Sequence, residues 1–204
     1  MRPVLFIILF IPFLSFTQGR RSIDLMNEGL KKYEVEKGRI QYKVTGDASG
    51  EELFVFDRFG WRSLKKRTME FVNHGIKGKE TQHEITDGKI VYRINHRDST
   101  YRKRIDIRWS SLAAKMTPDK VSESLLFSLG GTQVTDSTLL NKKCQVWVFE
   151  NRSLKEMWVW KGLVMKRISS LGEKNIITIA ESIDLEAPIS DDLFKLPSIY
   201  QLVE

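Results

Sequence analysis

The stretch 144–170 constrains the fold of this chain more than any other part of the sequence. It contains three runs rich in β-branched and aromatic residues, at 144–149, 154–160 and 163–169. Runs of this kind, bounded by turn residues, are typical of β-strands. Lys161 and Gly162 separate the last two runs, and Gly162 can supply the positive φ that a two-residue hairpin turn requires. The sequence therefore predicts a three-stranded antiparallel meander.

Both faces of this predicted meander are apolar. Pairing of Phe149 with Leu154 and of Trp160 with Leu163 would determine which side chains share a face. One face would then carry Trp147, Phe149, Leu154, Trp158, Trp160, Leu163 and Met165. The other would carry Cys144, Val146, Val148, Met157, Val159, Val164 and Ile168. A sheet of this kind needs cover on each side from a second layer, a helix or a ligand.

Residues 1–19 have the pattern of a secretory signal peptide. Arg2 precedes an apolar run, 4–16, that ends in small and polar residues. We expect cleavage between Thr17 and Gly19. The run is short for a bilayer span, and no later segment is long and apolar enough to be one. The sequence predicts an exported, periplasmic protein that is peripheral to the membrane.

The remaining chain, 20–204, has the length of a single domain. Cys144 is its only cysteine, which rules out an internal disulfide. Because Cys144 lies among valines in a predicted strand, a buried inert thiol is favoured over a nucleophile.

The chain is basic, with a formal net charge of +7, which is a feature of many nucleic-acid-binding proteins. However, Arg102, Arg104 and Arg108 alternate with apolar residues on a predicted strand, and this alternation is typical of the wet face of a half-buried strand. An exported basic surface favours anionic membranes or acidic polymers. We therefore expect no nucleic-acid partner.

The other elements predict a mainly β domain of the α+β class. Further strands are predicted at 39–44, 51–57, 61–72, 80–86, 89–95, 100–109 and 175–185, and the strand at 51–57 is apolar on both faces. The strand at 61–72 is charged in its middle and is predicted to be an edge. Asp87 and Gly88 give the strongest hairpin signal. Helices are predicted at 22–35, at 110–116, from the Thr117 N-cap and Pro118 to Leu129, and as a turn at 191–194.

Motifs of catalysis and metal binding are missing from the sequence. His74, His83 and His96 lack the spacing of known zinc motifs, so surface histidines are favoured over a metal site. There is no nucleophile elbow, phosphate-binding glycine loop or dinucleotide fingerprint. We predict a protein that is not an enzyme and that has no cofactor or metal.

Several short motifs resemble the outer-membrane lipoprotein carrier (LolA/LolB-like) superfamily, and within it the uncharacterised exported relatives. They are the Thr117-Pro118 helix cap, Gly130-Gly131, the Val146-Trp147-Val148 segment, the Trp158-Val159-Trp160-Lys161-Gly162 turn and the closing Phe194-x-Leu196-Pro197. The resemblance covers about 38–202. It implies a curved, half-open antiparallel β-barrel whose concave face is covered by helices and encloses a hydrophobic cavity for acyl chains.

Two non-enzymatic functions remain open at this point, and a third possibility, a hydrolase, requires a fold that brings a histidine and a carboxylate together in a cleft. The first is a periplasmic binding protein that holds a lipid, acyl chain or other amphiphile in a hydrophobic trough, with a role in lipid or lipoprotein trafficking. The predicted walls of the trough are Phe54, Phe56, Tyr92, Trp147, Phe149, Trp158, Trp160 and Met165. The alternative is an envelope interaction module with a self-filled half-barrel, whose basic strand face binds a protein or an acidic polymer through Arg102, Arg104 and Arg108.

Overall fold

The computed structural model describes residues 31–73, 75–106, 117–150, 153–172 and 174–203. These residues form one large open sheet and one α-helix, so the predicted α+β, mainly β class and the half-open barrel are confirmed. The strands of the first half are β1 (Gly38–Gly46), β2 (Ala48–Asp57), β3 (Arg62–Asn73), β4 (Ile76–Asp87), β5 (Ile90–Asn95) and β6 (Thr100–Ile105). Helix α1 (Pro118–Ser128) follows. The strands of the second half are β7 (Gly131–Gln133), β8 (Ser137–Leu139), β9 (Lys142–Phe149), β10 (Leu154–Trp160), β11 (Leu163–Leu171), β12 (Lys174–Asp184) and β13 (Gln201–Leu202).

The sheet consists of two meanders joined at its centre. Its order is β13-β6-β5-β4-β3-β2-β1-β12-β11-β10-β9-β7, and β8 also pairs with β9. The antiparallel pairing of β1 with β12 joins the two meanders. Only β13 among the described strands is parallel to its neighbour, β6. The charged strand β3 lies between β2 and β4, so its prediction as an edge strand is wrong.

Local signals account for the hairpins and for α1. Gly88 and Gly162 have positive φ values of 57° and 80° in their turns, which a glycine adopts without strain. At the start of α1, Thr117 Oγ1 accepts a hydrogen bond from the backbone N–H of Lys120, and Pro118 occupies the first helical turn. The predicted helical turn near Pro197 is a 3₁₀ helix at Asp191–Phe194.

The remaining helix predictions are partly wrong or lie outside the described residues. The described end of the helix predicted at 22–35 is not helical, since residues 32–35 form bends, so this part of the prediction is wrong. Its start lies outside the described residues, as do the helix predicted at 110–116 and the residue Arg108.

The register of β9 against β10 differs from the prediction by one residue. Met157 lies opposite Trp147, and Trp158 lies opposite Val146. Because a displacement of one residue moves a whole strand's side chains to the other face, Trp147 and Trp158 face opposite sides of the sheet. The predicted single aromatic face is therefore wrong, although the predicted pairing of Trp160 with Leu163 is confirmed.

The C-terminal tail covers the outer face of β2–β5. Phe194 packs with Val55, Leu64, Ile85 and Ile94 in a buried cluster. Alternate residues of the same strands, such as Phe54, Lys65 and Glu84, face the opposite, concave side because side chains alternate along a strand. This arrangement leaves the concave face of the sheet for α1 and for the site described below.

Candidate functional site

A cavity of about 350 Å³ lies between the concave face of the sheet and α1. Its apolar lining comes from the sheet, from α1 and from the segment before β1, and consists of Tyr33, Tyr42, Phe54, Val91, Val121, Leu125, Leu163 and Val164. Its polar lining includes Glu52, Ser63, Lys65, Glu84, Thr86, Arg104, Asp106, Arg167 and Thr178. The cavity is therefore amphipathic, whereas the resemblance implied a hydrophobic one.

Helix α1 forms the cover of the cavity. Leu126 packs against Trp147, Phe149 and Val159 in a buried cluster that attaches the helix to the second meander. Val121 and Leu125 line the cavity. The helix thus uses different residues to attach itself to the sheet and to form the cavity wall.

The first of two buried carboxylates in the cavity is Glu52. Its Oε2 atom lies 3.6 Å from Arg67 Nε and 3.9 Å from a terminal nitrogen of Arg167, distances that are too long for hydrogen bonds. Glu52 Oε2, Arg67 Nε and Arg167 Nε are all buried without a hydrogen-bond partner. Burial and the carboxylate of Glu52 raise the pKa of the neighbouring Tyr42, whose hydroxyl donates to the carbonyl of Val164.

The second buried carboxylate, Glu84, has hydrogen-bond donors and cationic partners. Arg93 donates two hydrogen bonds, of 2.9 and 3.0 Å, to Glu84 Oε1, and Lys65 and Arg104 lie 3.4 and 3.8 Å from the carboxylate. Burial opposes ionisation of this group, but Lys65 and the hydrogen bond from Arg93 outweigh burial and hold the pKa of Glu84 below its usual value. Glu84 is therefore an ionised part of the cavity wall at neutral pH.

The structure separates the residues that were predicted to form one trough wall. Phe54 lines the cavity. Phe56 and Met165 lie in the buried core beside it, with Trp158 and Trp160 packed against that core. Trp147 and Phe149 lie under α1, and Tyr92 packs with the cluster beneath the C-terminal tail.

The predicted basic row also divides. Arg104 lines the cavity and pairs with Glu84, and Arg102 is exposed. Sequence reasoning missed Glu52, Lys65 and Arg167 as cavity residues, and Arg67 as a neighbour of Glu52. A charged residue on a strand gives the same sequence signal whether it faces solvent or a polar cavity.

The described residues contain no group of three or more His, Cys, Asp or Glu side chains that could hold a metal ion. In the same part of the chain, the helices are too short or too polar to span a bilayer.

Comparisons with known proteins concern the fold. No protein-family model matches this sequence, and no curated protein matches it. Among solved structures, an uncharacterized conserved protein from Thermus thermophilus is similar over 90% of this chain and 99% of its own, with a TM-score of 0.51 and 9% identity. At that identity the similarity shows a shared fold.

Two further solved structures are less similar. MucB matches with a TM-score of 0.43 and 13% identity, over 87% of this chain and 63% of MucB. LprF from Mycobacterium bovis matches with a TM-score of 0.37 and 7% identity, over 83% of this chain and 94% of LprF.

Proposed function

We propose that this chain is a periplasmic binding protein, not an enzyme, that holds a lipid, acyl chain or other amphiphile in the cavity under α1. The observation that carries this proposal is the cavity itself, about 350 Å³ between a curved sheet and a covering helix. This volume falls within the range of small-molecule sites, which combine apolar walls with a few polar groups.

The two kinds of wall match the two parts of an amphiphile. Phe54, Val121, Leu125 and Leu163 offer apolar surface, and burial of an acyl chain contributes about 0.8 kcal/mol per methylene. The charged side chains of the same cavity can hold a polar end. The resemblance to lipoprotein carriers supports the proposal, and a role in lipid or lipoprotein trafficking is its finer form.

Ligand uptake can be tested at α1, because the helix has two apolar residues with different surroundings. Leu125 lines the cavity, whereas Phe127 is 75% exposed. We expect Leu125→Glu to abolish uptake of a fluorescent fatty acid and Phe127→Glu to retain it. Circular dichroism would establish that both variants are folded.

Native mass spectrometry of the protein purified from the cell envelope, followed by solvent extraction, would identify a bound compound. A discrete lipid that is lost in Leu125→Glu would support the proposal. An apo mass that does not change with a panel of lipids, together with equal behaviour of both variants, would contradict it.

An envelope interaction module is the second candidate. The side chains of Arg93 and Arg104 are 59% and 55% exposed, and Arg102, on the same strand as Arg104 and opposite Arg93, is also exposed. These side chains present positive charge to solvent at one side of the cavity. If an acidic partner binds there, its affinity should fall as ionic strength rises, and salt-independent capture of partners would contradict this candidate.

A further inference from the structure

Two buried carboxylates on the concave wall, Glu52 and Glu84, are surrounded by a larger number of cationic side chains. These are Lys65, Arg67, Arg93, Arg104 and Arg167. Water can solvate Arg93 and Arg104, since more than half of each side chain is exposed. An excess of positive charge that water does not reach is costly unless an anion compensates it.

The excess is least solvated around Glu52. The side chains of Arg67 and Arg167 are 13% and 28% exposed, and both face this one carboxylate. Burial and the positive charge of Arg167 lower the pKa of Arg67, and the carboxylates of Glu52 and Glu80 only partly offset this effect.

Hydrogen bonding around Glu52 is also incomplete. Arg67 Nε and Arg167 Nε are buried donors without acceptors, and Glu52, which is only 7% exposed, has an oxygen that accepts no hydrogen bond. Buried polar groups of folded proteins nearly always have partners. Glu52 and Arg167 both line the cavity, so a ligand oxygen that enters there can accept from the guanidinium group of Arg167.

We propose that this end of the cavity binds an anionic oxygen group, a carboxylate or a phosphate. Arg167 contacts the anion directly, and Arg67 supports it from behind Glu52. The inference rests on the proposed function, because the apolar part of the same ligand lies against Phe54 and Leu125. Glu52 lies within 4 Å of both guanidinium groups and weakens anion binding, since its own charge repels the ligand.

Three ligands with the same chain and different head groups test this inference. They are dodecyl phosphate, dodecyl maltoside and dodecyltrimethylammonium, each titrated calorimetrically below its critical micelle concentration. Inorganic phosphate alone is the fourth titrant. We expect dodecyl phosphate to bind about tenfold more tightly than the neutral and cationic ligands, because hydrogen bonds between charged groups are the strong ones.

Two variants at the site change the charge in opposite directions. Arg167→Gln should lower the affinity for dodecyl phosphate about tenfold and change the affinity for dodecyl maltoside by less than about twofold. Glu52→Gln should raise the affinity for dodecyl phosphate. If the ion pairs of Glu52 were purely structural, this substitution would give no gain in affinity. Arg39→Gln, at an exposed residue outside the cavity lining, is the control and should bind like the unchanged protein.

The outcomes separate this inference from the proposed function. Equal affinity for all three dodecyl ligands would overturn the anion site and leave the proposed function standing. Binding of none of them would overturn the proposed function and this inference with it. Inorganic phosphate that binds as tightly as dodecyl phosphate, with the same response to both variants, would support the anion site and overturn its assignment to an amphiphile.

Discussion

His83 Nδ1 lies 2.7 Å from His96 Nε2, so the two imidazoles share a hydrogen bond under the C-terminal tail. The rings are stacked with centroids 4.8 Å apart. His96 Nδ1 lies 2.6 Å from the hydroxyl of Tyr200, and the next residues, Gln201–Leu202, pair with β6. The histidine pair therefore connects β4 to the tail, and one of the two facing nitrogens must stay unprotonated for the hydrogen bond to exist.

This pair predicts a loss of stability in mild acid. Burial, helped by the charges of Lys66 and His96, lowers the pKa of His83 to about 4, whereas an unfolded histidine has a pKa of about 6.5. Between these two values the unfolded chain binds more protons, so the free energy of unfolding should fall as pH decreases from about 6.5 to about 4. We expect His83 to contribute roughly 2 kcal/mol over this range, measured by urea denaturation at each pH.

His83→Gln is the matched variant for this measurement. It should reduce the slope of stability against pH between about 4 and 6.5, whatever its effect at neutral pH. Tyr200→Phe is the control, because it removes a hydroxyl at the other end of the chain of hydrogen bonds and should lower stability by about 1 kcal/mol while leaving the slope in place. An unchanged slope in His83→Gln would show that other groups titrate.

Gly131 is predicted to be required at the junction between α1 and β7. A Cβ atom at this position would lie 2.6 Å from the ring of Phe149 and 2.8 Å from the carbonyl oxygen of Leu126. Because that oxygen belongs to the backbone, the helix itself would have to shift. We expect Gly131→Ala to lower the free energy of unfolding by about 2 kcal/mol and to weaken ligand uptake, both measured on the purified variant.

Gly130→Ala provides the comparison. Gly130 has a φ of 81°, but a Cβ atom there would meet nothing within 4 Å. Gly130→Ala should lower the free energy of unfolding by about 1 kcal/mol, because an alanine is strained in the left-handed backbone conformation. Ligand uptake should be retained. If Gly130→Ala impaired uptake as strongly as Gly131→Ala did, the contact with Leu126 and Phe149 would not be the reason.

Glu84→Gln should destabilise the fold by leaving three cations without their shared carboxylate. Lys65, Arg93 and Arg104 all lie within 4 Å of Glu84. Loss of one partner of a fully buried pair costs about 3–5 kcal/mol, and the exposure of Arg93 and Arg104 reduces this to about 1–2 kcal/mol. Chemical denaturation at neutral pH would measure it.

Glu70→Gln is the control for Glu84→Gln. Glu70 pairs with Lys79 on the same hairpin at 3.8 Å, with both side chains more than 60% exposed. Exposed pairs contribute little, so this substitution should leave stability almost unchanged. Equal effects of the two substitutions would mean that burial of Glu84 does not matter.

Local turn chemistry explains why much of the fold could be predicted from the sequence. Thr117 and Pro118 begin α1, and Gly88 and Gly162 form tight turns, as their local preferences favour. Those residues determine their own backbone geometry without help from distant parts of the chain. The hairpin turn at Gly162 also determines register, and the predicted pairing of Trp160 with Leu163 followed from it.

The site could be predicted only in part, because two of its properties depend on contacts between distant residues. The register of β9 on β10 differs by one residue from the predicted one, and this displacement separates Trp147 from Trp158. The charged interior arises where β2, β3 and β11 bring Glu52, Arg67 and Arg167 together. Phe54 was predicted as a wall residue because it is a large aromatic on a strand with two apolar faces, and it lines the cavity.

Cys144 should be chemically inert in the folded protein. The side chain is fully buried in the core beside Ile40, Tyr42 and Phe56, its Sγ–H donates to the carbonyl of Lys142, and burial raises the pKa of the thiol. Since the thiolate is the reactive form, we expect iodoacetamide to leave the native protein unlabelled and to add one label after denaturation, as measured by intact mass.

Thr138→Cys is the positive control for this labelling experiment. Thr138 is exposed on β8, where it pairs with Lys143, the residue before Cys144 on β9. The Thr138→Cys variant should therefore take up one label under native conditions and two after denaturation. Labelling of the unchanged native protein at the rate of the Thr138→Cys variant would mean that Cys144 reaches solvent. The core between β1 and β9 would then open far more often than its packing indicates.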